Sequence, residues 1–193
     1  MRALLLSAWL GAVLMLGACS PSGKPLELVG TDITGADFAQ SFSLTDHTGK
    51  HRQLVDFKGK AVVLFFGYTH CPDVCPTTML DMANALKLMG SQADEVQVLF
   101  VTLDPERDTP EVLAKFVPSF DSRFLGLYGT PAQIAETAGN FKIFYARQDA
   151  GKNAYTIDHS AGTYVFDKQG KIRIYLKYGQ KPAEIASDIR QLL

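Results

Sequence analysis

Two hydrophobic runs dominate the pattern of the chain. Ala61 to Phe66 and Val96 to Leu103 are apolar almost throughout, which is typical of strands buried on both faces. Between them, hydrophobic residues recur at the spacing of a helix and stop at Gly90, a residue type that commonly ends helices. These residues are Met79, Met82, Ala83, Leu86 and Met89. The pattern predicts a strand, a helix and a second strand, with the methionines in the core.

Shorter elements surround this unit. Apolar residues on either side of the polar turn 46–50 predict a β-hairpin, and the histidines on it, His47 and His51, are expected to be solvated. Further strands are predicted at 124–128, 163–166 and 172–178, and further helices from Pro110, from Pro131 and over 182–192. Strands alternating with helices predict an α/β fold with a mixed central sheet flanked by helices. This order is the thioredoxin-like arrangement with an N-terminal β-hairpin extension.

The first residues differ in kind from the rest. Residues 1–18 join a positive charge to a hydrophobic run slightly too short to span a bilayer, which predicts a lipoprotein signal peptide. Leu16 to Cys19 is similar to a bacterial lipobox and implies lipidation of Cys19. Residues 19–36 are then expected to form a flexible tether, and residues 37–193 the folded domain. We therefore expect an exported, membrane-anchored lipoprotein with its domain on the periplasmic side; an uncleaved anchor helix is the alternative.

Composition and charge bear on one class of partner, nucleic acids. The 193 residues carry a formal net charge of -1 and have no block of like charge, so the sequence does not indicate a nucleic-acid partner. With Cys19 assigned to lipid, Cys71 and Cys75 are the cysteines left for the domain.

The placement of these two cysteines indicates chemistry rather than a structural disulfide. A loop this short would remove only about 2 kcal/mol of unfolded-state freedom. Pro76 fits the first position of the predicted helix, which puts Cys75 at or beside its N-cap, where amides and the helix dipole favour a thiolate. Cys71 lies one turn earlier, so both sulfurs can face one site. We predict a redox-active or metal-binding pair.

The spacing of the two cysteines bears on whether the pair is redox-active or binds a metal. Three residues separate the cysteines, where a thiol oxidoreductase usually has two, and two thiolates with an imidazole favour Cu(I) over hard cations. His159, in the polar loop 155–162, is the candidate third ligand. His70 competes with it, but the neighbour of Cys71 on an extended segment should point the other way.

Three blocks of sequence resemble the Sco/SenC family. They are Cys71 to Pro76, Val101 to Pro110, and Asp158 to Ser160. The resemblance implies a thioredoxin-like domain that binds copper, as Cu(I) or Cu(II), through Cys71, Cys75 and His159. It also implies a role in assembling the dinuclear copper centre of cytochrome c oxidase. Asp73 could add an oxygen donor, although we expect an exposed loop acid, and Asp158 could orient His159.

Two functions remain open at this point. A metallochaperone would hand copper to the copper-bearing subunit of cytochrome c oxidase, whereas a thiol-disulfide reductase would keep that subunit's cysteines reduced. Either role needs a thioredoxin-like reductant or another copper carrier as a partner. The membrane is a further expected partner, through the lipid anchor. Whether the protein is an enzyme depends on which of the two roles it has.

Overall fold

The computed structural model describes residues 26–151 and 154–193. Its strands are β1 (Thr31–Asp32), β2 (Ser43–Asp46), β3 (His51–Gln53), β4 (Ala61–Gly67), β5 (Val96–Thr102), β6 (Leu125–Tyr128), β7 (Tyr145–Gly151), β8 (Ala154–His159), β9 (Thr163–Phe166) and β10 (Ile172–Leu176). Its α-helices are α1 (Val74–Met89), α2 (Pro110–Phe116), α3 (Pro131–Asn140) and α4 (Pro182–Arg190). Short 3-10 helices cover Leu54–Phe57, Gly90–Glu95 and Val117–Ser119.

Eight strands form one mixed sheet in the order β1-β10-β9-β4-β5-β6-β2-β3. Strands β4, β5 and β6 run parallel, and β9 pairs antiparallel with β4. Every residue of β4 is buried, in agreement with a strand covered on both faces. The parallel centre places the carboxyl ends of β4 and β5 side by side, with Gly67 opposite Thr102. The predicted mixed sheet flanked by helices is confirmed.

The predicted N-terminal hairpin is present as β2 and β3. Strand β2 also pairs with β6, so the hairpin extends the main sheet at its edge. The buried Asp46 organises the turn: it accepts hydrogen bonds from the amides of Thr48 and Lys50 and pairs with Arg52. His47 is not a free turn residue, because its Nδ1 accepts a hydrogen bond from the Gly126 amide.

The segment that carries His159 differs from the prediction. We expected a polar loop over 155–162, but residues 154–159 form strand β8, which pairs with β7 in a separate two-stranded sheet. This hairpin was not predicted from the sequence. Most of β7 is exposed and polar, so it lacks the alternation of apolar and polar residues that indicates a strand.

The amino-terminal segment also differs from the expected flexible tether. From residue 27 onward it contacts the domain: Glu27 and Gln191 exchange two hydrogen bonds, and β1 pairs with β10. The buried Asp188 of α4 accepts hydrogen bonds from the amides of Val29 and Gly30. A carboxylate 158 residues away thus orders a stretch whose glycines and prolines suggested flexibility. The predicted signal peptide and Cys19 lie outside the described residues, and no described helix is long and apolar enough to cross a membrane.

Candidate metal centre

The cysteine loop leaves the sheet at the carboxyl edge of its parallel strands. Asp108, in the loop after β5, fixes the start of the cysteine loop: its buried carboxylate accepts hydrogen bonds from the amide of Thr69 at 3.0 Å and from its hydroxyl at 2.6 Å. Thr102, the last residue of β5, donates to the same carboxylate at 2.6 Å. The carboxylate of Asp108 therefore links the end of β5 to the segment that follows β4. This location is where open α/β sheets place their ligands.

Cys75 lies in the first turn of α1 and is fully buried. The helix begins at Val74, after Asp73, two residues before the predicted start, so Cys75 is the second helical residue and not the N-cap. Pro76 is tolerated there because amides of the first turn have no acceptor within the helix. Burial raises the pKa of the Cys75 thiol, so desolvation outweighs the expected effect of the helix terminus.

The sulfur of Cys75 packs directly on Gly67, the last residue of β4. A Cβ atom on Gly67 would lie 2.9 Å from the Cys75 Sγ and 2.9 Å from the ring of Phe65. The absence of a side chain at Gly67 therefore makes the space in which this sulfur lies.

Cys71 is more accessible than Cys75. Its side chain is partly exposed, and its Sγ accepts a long hydrogen bond of 3.5 Å from the Cys75 amide. Both thiols are free. Cys71 therefore lies at the surface of the site, one turn before the buried sulfur, as the sequence predicts.

His159 ends β8 beside the buried cysteine. Its Nε2 lies 3.5 Å from the Cys75 Sγ, although 84 residues separate the two in sequence. Its Nδ1 lies 2.9 Å from the carbonyl oxygen of Ser160. A carbonyl can only accept, so Nδ1 carries the ring proton and Nε2 presents its lone pair to the cysteine. Burial lowers the pKa of His159, which favours the neutral form that binds metals.

The pair of Cys75 and His159 has a spacing that fits a shared metal ion. Metal–sulfur and metal–nitrogen bonds of about 2.3 and 2.0 Å at a tetrahedral angle put sulfur and nitrogen about 3.5 Å apart. In the described part of the chain, no three His, Cys, Asp or Glu side chains are already gathered closely enough to hold an ion. Cys75 and His159 thus lie at a distance that one ion could span, with Cys71 next to them.

The remaining candidates have other partners or are exposed. His70 hydrogen-bonds Thr69 at 3.1 Å and its ring lies 3.8 Å from Asp108, in line with the expectation that it points elsewhere. Asp73 is exposed and precedes α1. Asp158 is exposed too, because alternation along β8 turns it away from the side that carries His159; the Ser160 carbonyl orients the ring instead.

The other histidines and the methionines have structural surroundings. His51 is exposed and hydrogen-bonds Ser43. The methionines of α1 are buried, as helical spacing predicts.

Sequence reasoning missed the side chains that hold the site together. Asp108 is one, and Asp104, Arg107 and Tyr155 form a second group between the loop after β5 and β8. An aspartate at the end of a buried strand is a signal that could have found Asp104 and Asp108. The partner of Arg107 could not be read from sequence, since Tyr155 is 48 residues further on.

Comparison with known proteins identifies the family. A family model described as SCO1/SenC matches residues 30–193. The chain belongs to the SCO1/SenC family. The mitochondrial SCO2 homolog of Bos taurus is 35% identical over 153 residues, which cover 78% of this chain and 58% of that protein. The chain thus spans less than two thirds of the length of this relative.

Solved structures of the family share the fold. Bradyrhizobium japonicum ScoI with copper bound is 38% identical with a TM-score of 0.74, and the match covers 79% of this chain and 98% of that one. A SCO1/SenC family lipoprotein of Bacillus anthracis is 28% identical with a TM-score of 0.68, over 79% of this chain and 92% of that one. These neighbours confirm the thioredoxin-like fold of this SCO1/SenC domain.

Proposed function

We propose that this SCO1/SenC domain is a copper metallochaperone that binds copper through Cys71, Cys75 and His159. One observation carries the proposal: the Nε2 lone pair of His159 faces the Cys75 Sγ at 3.5 Å. The ring orientation is set by the Ser160 carbonyl, so Cys75 and His159 need no rearrangement before an ion arrives. The structure of the Bradyrhizobium ScoI with copper bound supports the choice of metal.

The donor set favours copper over other common ions. Two sulfurs and an imidazole suit soft Cu(I), and a structural zinc site would need a fourth ligand. Cys71 completes the set when its side chain turns from the Cys75 amide towards the Cys75–His159 pair. Such a turn moves a single partly exposed side chain whose present hydrogen bond is long.

The arrangement of the three proposed ligands also suits the release of copper. Cys71 lies at the surface of the site, so thiolates of an acceptor can replace it first, while Cys75 is buried and His159 is partly buried behind it. The acceptor we propose is the copper-bearing subunit of cytochrome c oxidase. A thioredoxin-like reductant, or another copper carrier, would keep the two cysteines reduced and loaded.

The location we propose is the periplasmic side of a bacterial membrane. The signal pattern over residues 1–18 and the lipobox-like Cys19 support an exported lipoprotein, and the Bacillus relative described as a lipoprotein supports this form of anchoring. The domain would then face the periplasm.

A specific observation favours a second function, thiol-disulfide reduction. Cys71 is partly exposed and Cys75 is buried behind it, which is the order needed for one thiol to attack a substrate disulfide and the other to resolve the mixed disulfide. That reaction would oxidise Cys71 and Cys75 to a disulfide while the two cysteines of the acceptor gain the electrons and protons. It does not require His159.

Anaerobic copper titration of the reduced protein against a chelator of known affinity separates the two functions. Under our proposal, His159→Ala lowers Cu(I) affinity by a factor of about 10 to 100, because a preformed ligand is lost. His51→Ala is the matched control, since the side chain of this exposed histidine hydrogen-bonds only Ser43 among the described residues. Unchanged affinity in His159→Ala, with rapid reduction of an oxidised oxidase fragment, would support the reductase instead.

A further inference from the structure

The hairpin of β7 and β8 needs outside support to hold His159 in place. It is a separate two-stranded sheet, and five consecutive residues of β7, 147–151, are exposed. Isolated hairpins are marginally stable in water. Contacts with the loop after β5 must therefore contribute to the position of the hairpin.

Tyr155 joins the hairpin to this loop by hydrogen bonds. It lies four residues before His159 on β8, and its hydroxyl donates a hydrogen bond of 2.8 Å to the buried carboxylate of Asp104. Its carbonyl oxygen accepts a hydrogen bond of 3.0 Å from Arg107 Nη1. Both the backbone and the side chain of Tyr155 are thus held by the loop that follows β5.

Two guanidinium groups also contact the Tyr155 ring. The Arg107 Cζ lies 3.5 Å from the ring centroid and the Arg147 Cζ lies 3.7 Å from it. Arg107 in turn donates from Nε to Asp104. Asp104, Arg107, Arg147 and Tyr155 are called the tyrosine clamp below.

One donor group of Arg107 is left unpaired. Its Nη2 is buried and has no hydrogen-bond partner among the described residues. A buried donor without an acceptor costs free energy, and such a group in a native structure calls for a reason. The stacking of Arg107 on Tyr155 is a reason for leaving this donor unpaired, because it holds the guanidinium against the ring.

We propose that the tyrosine clamp is a positioning device that sets the distance between His159 Nε2 and Cys75 Sγ. The inference rests on the proposed function, because it concerns the affinity of the three-ligand site for copper. The clamp residues do not touch the ion. Loosening the clamp frees the end of β8, so copper keeps its two sulfur ligands and loses the histidine.

The test uses two variants of the clamp in the full chain. Tyr155→Phe removes the hydroxyl and keeps a ring of the same size, whereas Arg107→Gln removes the stacking group. Each is made alone and together with His159→Ala, and Cu(I) affinity is measured by anaerobic competition. We expect Arg107→Gln to lower affinity by roughly 10- to 100-fold, the usual effect of residues that orient metal ligands, and Tyr155→Phe to lower it less.

The double variants distinguish positioning from general destabilisation. If the clamp acts through His159, neither change lowers affinity further in the His159→Ala background. An equal loss in both backgrounds, or no loss in either, overturns the inference. The Nε2 resonance of His159 in the copper-loaded protein gives a second readout, which should lose its copper-bound shift in Arg107→Gln.

Arg52→Gln is the matched control. Arg52 pairs with the buried Asp46 and lies over the ring of Phe57, so it resembles Arg107 in its contacts but lies on the β2–β3 hairpin. It should destabilise the fold without changing copper affinity. Should Arg107→Gln unfold, Tyr155→Phe still decides the matter, because it removes a single oxygen atom. If His159→Ala itself leaves affinity unchanged, the proposed ligand set fails, and not the clamp alone.

Discussion

Gly67→Ala should weaken copper binding, because the added methyl group would displace the sulfur of Cys75, which we propose as a copper ligand. The added Cβ would lie 2.9 Å from the Cys75 Sγ, 2.9 Å from Phe65 and 3.0 Å from Phe100. Ordinary contacts begin at 3.4 Å, so the sulfur must retreat by 0.5 Å (3.4 minus 2.9). Both rings are fully buried and cannot yield freely, so much of the shift falls on Cys75.

The size of the effect follows from this displacement. Overpacking of a dense core costs about 1 to 3 kcal/mol. In a chain of this length, each kcal/mol lowers the melting temperature by about 2 to 4 °C. Ligand positions tolerate displacements of only about 0.5 Å, so we expect a tenfold or larger loss of Cu(I) affinity.

Gly126→Ala provides the matched comparison. Its added Cβ would meet Val117 at 3.0 Å and Leu113 at 3.2 Å, on strand β6 and away from the cysteines. Thermal unfolding and anaerobic copper competition are measured for both variants. Gly126→Ala should be destabilised with unchanged copper affinity. The reasoning is refuted if Gly67→Ala is destabilised to the same degree and still binds copper like the unsubstituted protein.

Three further predictions concern the domain and its pH dependence. Asp188→Ala leaves the amides of Val29 and Gly30 without their acceptor and should speed hydrogen exchange at these two amides, measured by mass spectrometry, with copper affinity unchanged. Burial alone would raise the pKa of Asp46, but hydrogen bonds, first from Thr48 and then from Arg52, lower it from 3.8 to about 2. Because the unfolded chain binds this proton more readily, roughly 2 kcal/mol of stability should be lost as pH falls from 3.8 towards 2, and urea unfolding of Asp46→Asn should lack this loss. Cu(I) affinity should fall as pH is lowered, by roughly tenfold per pH unit for each thiol proton that copper displaces, and a pH-independent affinity would argue against thiolate ligands.

The sequence by itself determined the central strands of the sheet and named the three candidate ligands. The apolar runs of β4 and β5 are short and typical of strands covered on both faces, and all their residues are buried except the partly exposed Gln97. Cys71 and Cys75 could be placed at the end of β4 by their position in the chain. His159 was a candidate from its place in a polar segment before a strand, and the family resemblance strengthened it, but its distance from Cys75 could not be read from sequence.

The tertiary structure decided how those ligands are held. Cys75 is buried because Gly67 of another element leaves space for its sulfur, and this burial reverses the pKa shift that a helix terminus would cause. His159 points its Nε2 at Cys75 because the neighbouring carbonyl takes the other nitrogen and the tyrosine clamp holds β8. Contacts between residues 48 and 84 positions apart set this geometry, and local sequence patterns carry no information about such distances.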